Sequence, residues 1–321
     1  MSTVEIYDRS FCGILELTGK DRVRFLHNQT TNQINLLNSG QGCDVVFVNS
    51  TGRTLELATA YVTEESILIV VSPNRRQFLL DWMDRYIFPM DKVTVSDLSP
   101  ELAIFTLLGS ESRDFLEQFG ISSNILDQSE ASHELVALAG IQVRIAVGTD
   151  LGLSGYTLIL PIAQAAKLWK ELTEKGAIPM SDRQWEELRI SQGRPMSEQE
   201  LTEDYNALEA GLWRAISFDK GCYIGQETIA RLNTYKGVKQ RLWGLKLNQS
   251  VEPLTPISLD DEKIGVLTSC LETDEGAIGL GYIRTKAGGA GMTVKIGEAI
   301  AQVIAVPFLS HDYYDPSSET K

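Results

Sequence analysis

The stretch 54-TLELATAYVTEESILIVVSPNRRQFLLDWMDRYI-87 decides the fold class. Its opening alternates, with Leu55, Leu57, Thr59 and Tyr61 on one face, the period-2 pattern of a half-buried strand. After a short polar break, 66-SILIVV-71 is a second run rich in β-branched residues, which suits a pleated, packed surface. Ser72–Pro73 then reads as an N-cap with proline at the first helical position. Behind it Phe78, Leu79, Trp82, Met83 and Ile87 fall on one helical stripe. Two strands at hairpin distance followed by a helix make one unit of an α+β layer.

The same theme runs outward in both directions. Upstream, 44-DVVFV-48 is a further strand, and Thr18-Gly-Lys-Asp21 has capping-box spacing with Asp in place of Glu. A helix is expected from there, carrying Val23, Leu26 and Ile34 inward. Downstream, 103-AIFTLL-108 precedes a helix near 111–119, and strands near 135–147 and at 156-YTLILP-161 precede a helix at 163–175. Ser181 caps another helix, which carries Trp185 and Leu188 and is ended by Gly193 and Pro195. The expected architecture is α+β, with helices on one face of mostly antiparallel sheets. Neither GxGxxG nor GxxxxGK[ST] occurs, so a Rossmann or P-loop reading has no local support.

After about Lys239 the texture changes. Short β-like segments lie at 241–247, 263–269, 277–283, 292–296 and 299–306, separated by turn residues including Pro253, Pro256 and 288-GGAG-291. Helical periodicity is lost, and a small all-β barrel is expected. The chain thus divides into an α+β domain over 1–238, a barrel over 239–310 and a polar, flexible tail over 311–321.

Composition narrows the function. With 29 Lys and Arg against 43 Asp and Glu the formal charge is −14, which argues against broad nucleic-acid binding. No apolar run of about 18 residues is present, so no membrane span is expected. The stretch 1-MSTVEIYDRS-10 lacks the basic and apolar regions of a signal peptide. Cys12, Cys43, Cys222 and Cys270 are far apart and form no CxxC or CxxxC group. Free thiols in a reducing compartment are expected, with no local zinc or iron–sulfur motif. No heptads suggest a permanent dimer, and a monomer is expected.

The chemistry concentrates in 220-KGCYIGQE-227. Gly221 and Gly225 permit left-handed backbone and close approach of another group. From Gly225 the sequence reads as a helix with Glu227 in its first turn, so Cys222 lies just before a helix N-terminus with Lys220 two residues away. Both neighbours favour a thiolate. The commoner fate of a lone cysteine is burial as a small hydrophobe. His27, His133 and His311 show no metal spacing, and a surface or capping role is expected for His27. Trp185 is by default a packed helix residue, or else an aromatic plate beside a flat ring.

These residues resemble a family. KGCYIGQE is similar to the signature of the YgfZ family of folate-binding proteins, relatives of the aminomethyltransferase of the glycine cleavage system. The resemblance continues through 21-DRVRFLHNQTTNQI-34, 47-FVNSTGRTLELATAY-61, 155-GYTLILP-161, 185-WEELRISQGRPM-196, 206-NALEAGL-212 and 217-SFDKGCYIGQETIAR-231. It implies subdomains arranged as a ring around a central hole that holds tetrahydrofolate or a one-carbon derivative, followed by a β-barrel. It implies a functional Cys222 and a folate site drawing on Trp185, Arg189, Glu209, Lys220, Gly221, Tyr223, Gly225, Gln226, Glu227 and Arg231. The chain departs from the transferases at Glu56–Leu57, where they carry two aspartates, and at Ser191, where they carry a carboxylate. The resemblance therefore implies a cytoplasmic accessory protein for iron–sulfur cluster assembly or repair. Its partners would be folate and iron–sulfur client enzymes, including enzymes that modify transfer RNA. A tetrahydrofolate-dependent one-carbon transferase and a scaffold without folate are the alternatives.

Overall fold

The computed structural model describes residues 3–316. Two compact units divide the chain. The first takes the described chain up to Val45 and then Ala58–Trp185; the second takes Val46–Leu57 and everything described from Glu186 onward. The chain changes unit inside the strands Gln41–Val48 and Thr54–Val62 and inside the helix Asp182–Gln192.

In the first unit a six-stranded sheet runs in the order Ile178–Pro179, Glu5–Asp8, Leu102–Leu108, Gly155–Pro161, Ile141–Val147, His133–Leu138. Its pairings are antiparallel except that of Glu5–Asp8 with Ile178–Pro179. Period-2 alternation separates its faces. Ala103, Phe105 and Leu107 pack with Leu158 and Leu160 under the helices Ser112–Glu117, Ser123–Leu126 and Ile162–Glu174. Ile104, Ala146 and Ile159 face the other way, onto Cys12, Ile14, Tyr61, Leu68 and Val70. The latter side belongs to a five-stranded sheet ordered Gln41–Val48, Thr54–Val62, Ser66–Val71, Gly13–Thr18, Thr94–Asp97. The α+β class, with sheets that are mostly antiparallel, is as the sequence pattern implies.

Thr54–Val62 is buried at every position rather than half-buried, because its polar residues face partners instead of water: the Thr54 hydroxyl donates to the Thr202 carbonyl at 2.8 Å and Glu56 accepts from Ser197. The helix after Ser72–Pro73 spans Arg76–Asp84, with those two residues in a preceding turn and Ile87 beyond its end. Leu79, Trp82 and Met83 form its buried stripe. Thr18 ends a strand instead of capping a helix. The helix is Arg22–Gln29, and the Asp21 carboxylate accepts from the Lys92 amide at 2.9 Å instead of capping. Ile34 is buried in a separate 3-10 turn, Ile34–Leu36. His27 is buried, not on the surface.

In the second unit six strands close into a barrel in the order Gln240–Leu247, Gly276–Arg284, Glu262–Thr273, Pro256–Leu259, Thr293–Ile296, Ala299–Ile304. Leu245, Leu247, Ile257, Leu267, Ala277, Ile283, Val294 and Val303 fill its interior. Leu242, Leu280 and Tyr282 alternate with them and point outward into a second core with Val46, Leu57, Ile190, Leu208, Trp213 and Ile229. Pro256, which reads as a turn residue, is the first residue of a strand, a position that tolerates its missing N–H. Of the expected tail 311–321, residues 317–321 lie outside the described residues. His311, Tyr313 and Tyr314 instead pack and hydrogen-bond, because this part of the segment is aromatic.

Candidate functional site

Cys222 is exposed, on an irregular segment that runs from Ala215 to the helix Gln226–Thr234. Gly225 is the N-cap of that helix, at φ 79°. A Cβ there would stand 2.6 Å from the Asn49 carbonyl oxygen and 3.0 Å from the Gly52 Cα, so both the left-handed turn and the close approach require glycine. Gly221 requires neither: its φ is not in the left-handed region and a Cβ would meet open space. Lys220 is buried, with its ammonium 4.8 Å from the Tyr223 ring centroid. Tyr223 is buried as well, and burial holds its hydroxyl well above the usual phenol range. The Gln226 side-chain amide donates to the Lys220 carbonyl at 3.3 Å. Glu227 and Arg231 are exposed. The motif thus holds one surface thiol between a buried cation–aromatic pair and a helix N-terminus.

Arg189 lies elsewhere in the second unit and is buried. Its guanidinium donates to Glu186 at 2.7 and 2.8 Å, Glu200 at 3.2 Å, the Arg194 carbonyl at 2.8 Å, Gln199 at 3.3 Å and Ser269 at 2.9 Å. Burial works against its charge, but Glu200 and Glu186 outweigh it and hold the pKa above the ordinary arginine value. Glu200 is fully buried and also accepts from the Met196 amide at 3.0 Å and Ser269 at 2.6 Å. The guanidinium is therefore a structural knot joining the helix to the barrel strand that carries Ser269. Ser191 is exposed, its hydroxyl donating to the Glu187 carbonyl at 2.6 Å.

Glu209 is buried. Its carboxylate accepts from the Asn206 amide at 3.1 Å and lies 3.6 Å from Arg53. Burial raises its pKa, partly offset by the Asn206 amide and then by Arg53. Glu56 is fully buried and accepts from Ser197.

Trp185 closes the first unit. Its ring stacks on Tyr7 with centroids 4.5 Å apart and planes at 13°, and the Arg9 guanidinium lies 5.4 Å from its centroid. The Tyr7 hydroxyl donates to Asp182 at 3.1 Å, and Arg9, itself buried, pairs with Asp150 at 2.6 Å. Burial opposes the Arg9 charge, while Asp150, Cys12 and Tyr61 sustain it. The partners of Trp185 here, Tyr7, Arg9 and Asp150, carry no local motif that singles them out in the sequence.

The comparisons agree with this architecture. The family described as "GCVT N-terminal domain" matches residues 1–220. A chloroplastic Arabidopsis thaliana protein that carries the name of a transferase is 41% identical over 313 residues, covering 97% of this chain and 72% of its own. The aminomethyltransferase of Halalkalibacterium halodurans is 26% identical, covering 94% of this chain and 86% of its own. The crystal structure of glycine cleavage system aminomethyltransferase T from Bartonella henselae superposes with a TM-score of 0.83 at 20% identity, over 98% of this chain and 88% of that one. The fold is that of the aminomethyltransferases, with a closed barrel after the mixed sheets, and the chain belongs to the family of the GCVT N-terminal domain.

Proposed function

We propose that this protein binds tetrahydrofolate or a one-carbon derivative and serves as a YgfZ-like accessory protein in the assembly or repair of iron–sulfur clusters, and through its client enzymes in transfer-RNA modification. The observation that carries the reading is the exposed thiol of Cys222, set in KGCYIGQE two residues after a buried Lys220 and three before the glycine that heads a helix. A merely structural cysteine would be packed away. Kinship with aminomethyltransferases supports the folate ligand, and in this reading the buried Trp185 ring, stacked on Tyr7, backs the pterin. Arg189 has its donors on protein groups, which argues for a structural role at that position.

Among the described residues no group of three or more His, Cys, Asp and Glu could hold a metal. In this reading a cluster is cargo, touched by the Cys222 thiol here and by further ligands from the client. The protein acts as a monomer in the cytoplasm, where its thiols stay reduced. No helix of the described residues is long and apolar enough to cross a membrane.

The second reading, a one-carbon transferase, needs Glu56 to replace the transferases' acid. Glu56 is wholly buried and accepts from Ser197, which favours the accessory role. Isothermal titration of the purified protein with tetrahydrofolate tests the ligand, and heat is expected at micromolar concentrations. Absence of heat at high-micromolar ligand would support the bare scaffold. Release of methylenetetrahydrofolate from an aminomethyl donor would establish the transferase.

A further inference from the structure

We propose that residues 308–316 form a strap that positions the Cys222 loop, with Tyr314 as its principal contact; the proposal rests on the functional reading of Cys222. The strap is anchored by backbone bonds from the Phe308 amide to the Gln192 carbonyl at 2.9 Å and from the Ser310 amide to the Gly211 carbonyl at 3.0 Å. Arg241 donates to the His311 carbonyl at 2.7 Å and ties the strap to the barrel. Tyr313 meets Trp213 edge-on with centroids 5.2 Å apart, and its hydroxyl accepts from the Val238 amide at 3.2 Å.

Tyr314 then grips both sides of the thiol. Its ring stacks on Phe218 at 4.9 Å with planes 8° apart, and its hydroxyl donates to Asp219 at 2.7 Å, three residues before Cys222. Its backbone exchanges two bonds with the Asn233 side chain, 2.9 and 3.2 Å, on the helix that follows Cys222. The segment 217–223 is neither helix nor strand. Lys220 and Tyr223 bury one side of this segment, while Asp219, Gly221 and Cys222 are exposed, and an exposed turn without ladder bonds is steadied by contacts from neighbouring chain. Tyr314 is thus a positioning residue: it ties both the segment that carries the exposed Cys222 and the helix Gln226–Thr234 that follows it.

The test uses the full chain with Tyr314→Ala, Tyr314→Phe and Asp219→Asn. Hydrogen exchange is read on the peptide covering 217–223, with the barrel strands as internal reference. Alkylation of Cys222 by iodoacetamide is followed by peptide-resolved mass spectrometry. Loss of a stacked ring and a charged hydrogen bond makes loop exchange about tenfold faster in Tyr314→Ala. The rate of Cys222 alkylation changes several-fold as the loop geometry is lost, and the barrel amides stay unchanged. Tyr314→Phe, which keeps the stack, and Asp219→Asn, which weakens the hydroxyl's acceptor, fall between. If Tyr314→Ala loosens the barrel too, those two variants decide. Loop exchange and alkylation within about twofold of the parent in all variants whose barrel is intact would overturn the strap. Failure of the Cys222 reading shows separately, as full activity of Cys222→Ala in cells, and leaves these chemical readouts untouched.

Discussion

Replacing Arg189 with alanine separates a structural knot from a ligand-binding arginine. The guanidinium is buried and makes six hydrogen bonds, two of them to Glu186 and one to Glu200. Glu186 is about a third exposed and its share is screened by water, whereas Glu200 has no exposure at all. Arg189→Ala takes the guanidinium from the buried Glu200 carboxylate and leaves it the Met196 amide and the Ser269 hydroxyl. Removing one partner of a buried pair costs about 3–5 kcal/mol, and that loss is expected in urea unfolding followed by circular dichroism. Arg189→Lys keeps the charge without the fork and is expected to lose less. A loss below about 1 kcal/mol for Arg189→Ala, with tetrahydrofolate affinity abolished, would refute the knot and return Arg189 to the ligand.

Trp185→Ala is expected to weaken tetrahydrofolate binding in titration calorimetry by about 0.5–1.5 kcal/mol through loss of ring contact; unchanged affinity with an intact fold would remove Trp185 from the site. Gly225→Ala is expected to cost about 1–2 kcal/mol or more for the left-handed backbone alone, with the Asn49 carbonyl in the way as well; thermal unfolding reads it, and no change would mean that the turn relaxes. Burial, with Arg144 and Arg241 adding to it, holds His133 and His311 neutral down to about pH 4. The unfolded chain binds those protons near its ordinary pKa of about 6.5. Their contribution is complete above that value and is lost as pH falls toward 4. His133→Gln is therefore expected to flatten the pH dependence of the melting temperature over that window, and an unchanged slope would contradict the neutral, buried ring.

What the sequence disclosed depended on how local the cause was. The strands 66–71 and 103–108 and the helix with Trp185 were legible because periodicity and caps lie within a few residues; Ser181 and Gln184 exchange their capping bonds as spaced. The Gly225 turn was legible because glycine before a helix start has few meanings. Gly221 looked equivalent and is not, since nothing approaches it. The burial of Glu56 was hidden because its partner, Ser197, lies 141 residues away, the same separation as Arg9 from Asp150. The strand Pro256–Leu259 was hidden by its four-residue length and leading proline. The order of 311–316 escaped because polar composition outweighed two tyrosines whose partners, Trp213 and Phe218, are about a hundred residues upstream.

The most direct test of the central claim is complementation by Cys222→Ala in a strain lacking the protein, read as the activity of iron–sulfur enzymes. Cys222 is exposed, so the variant is expected to fold within about 0.5 kcal/mol of the parent and to restore no activity. Full restoration by a stably folded Cys222→Ala would contradict the account.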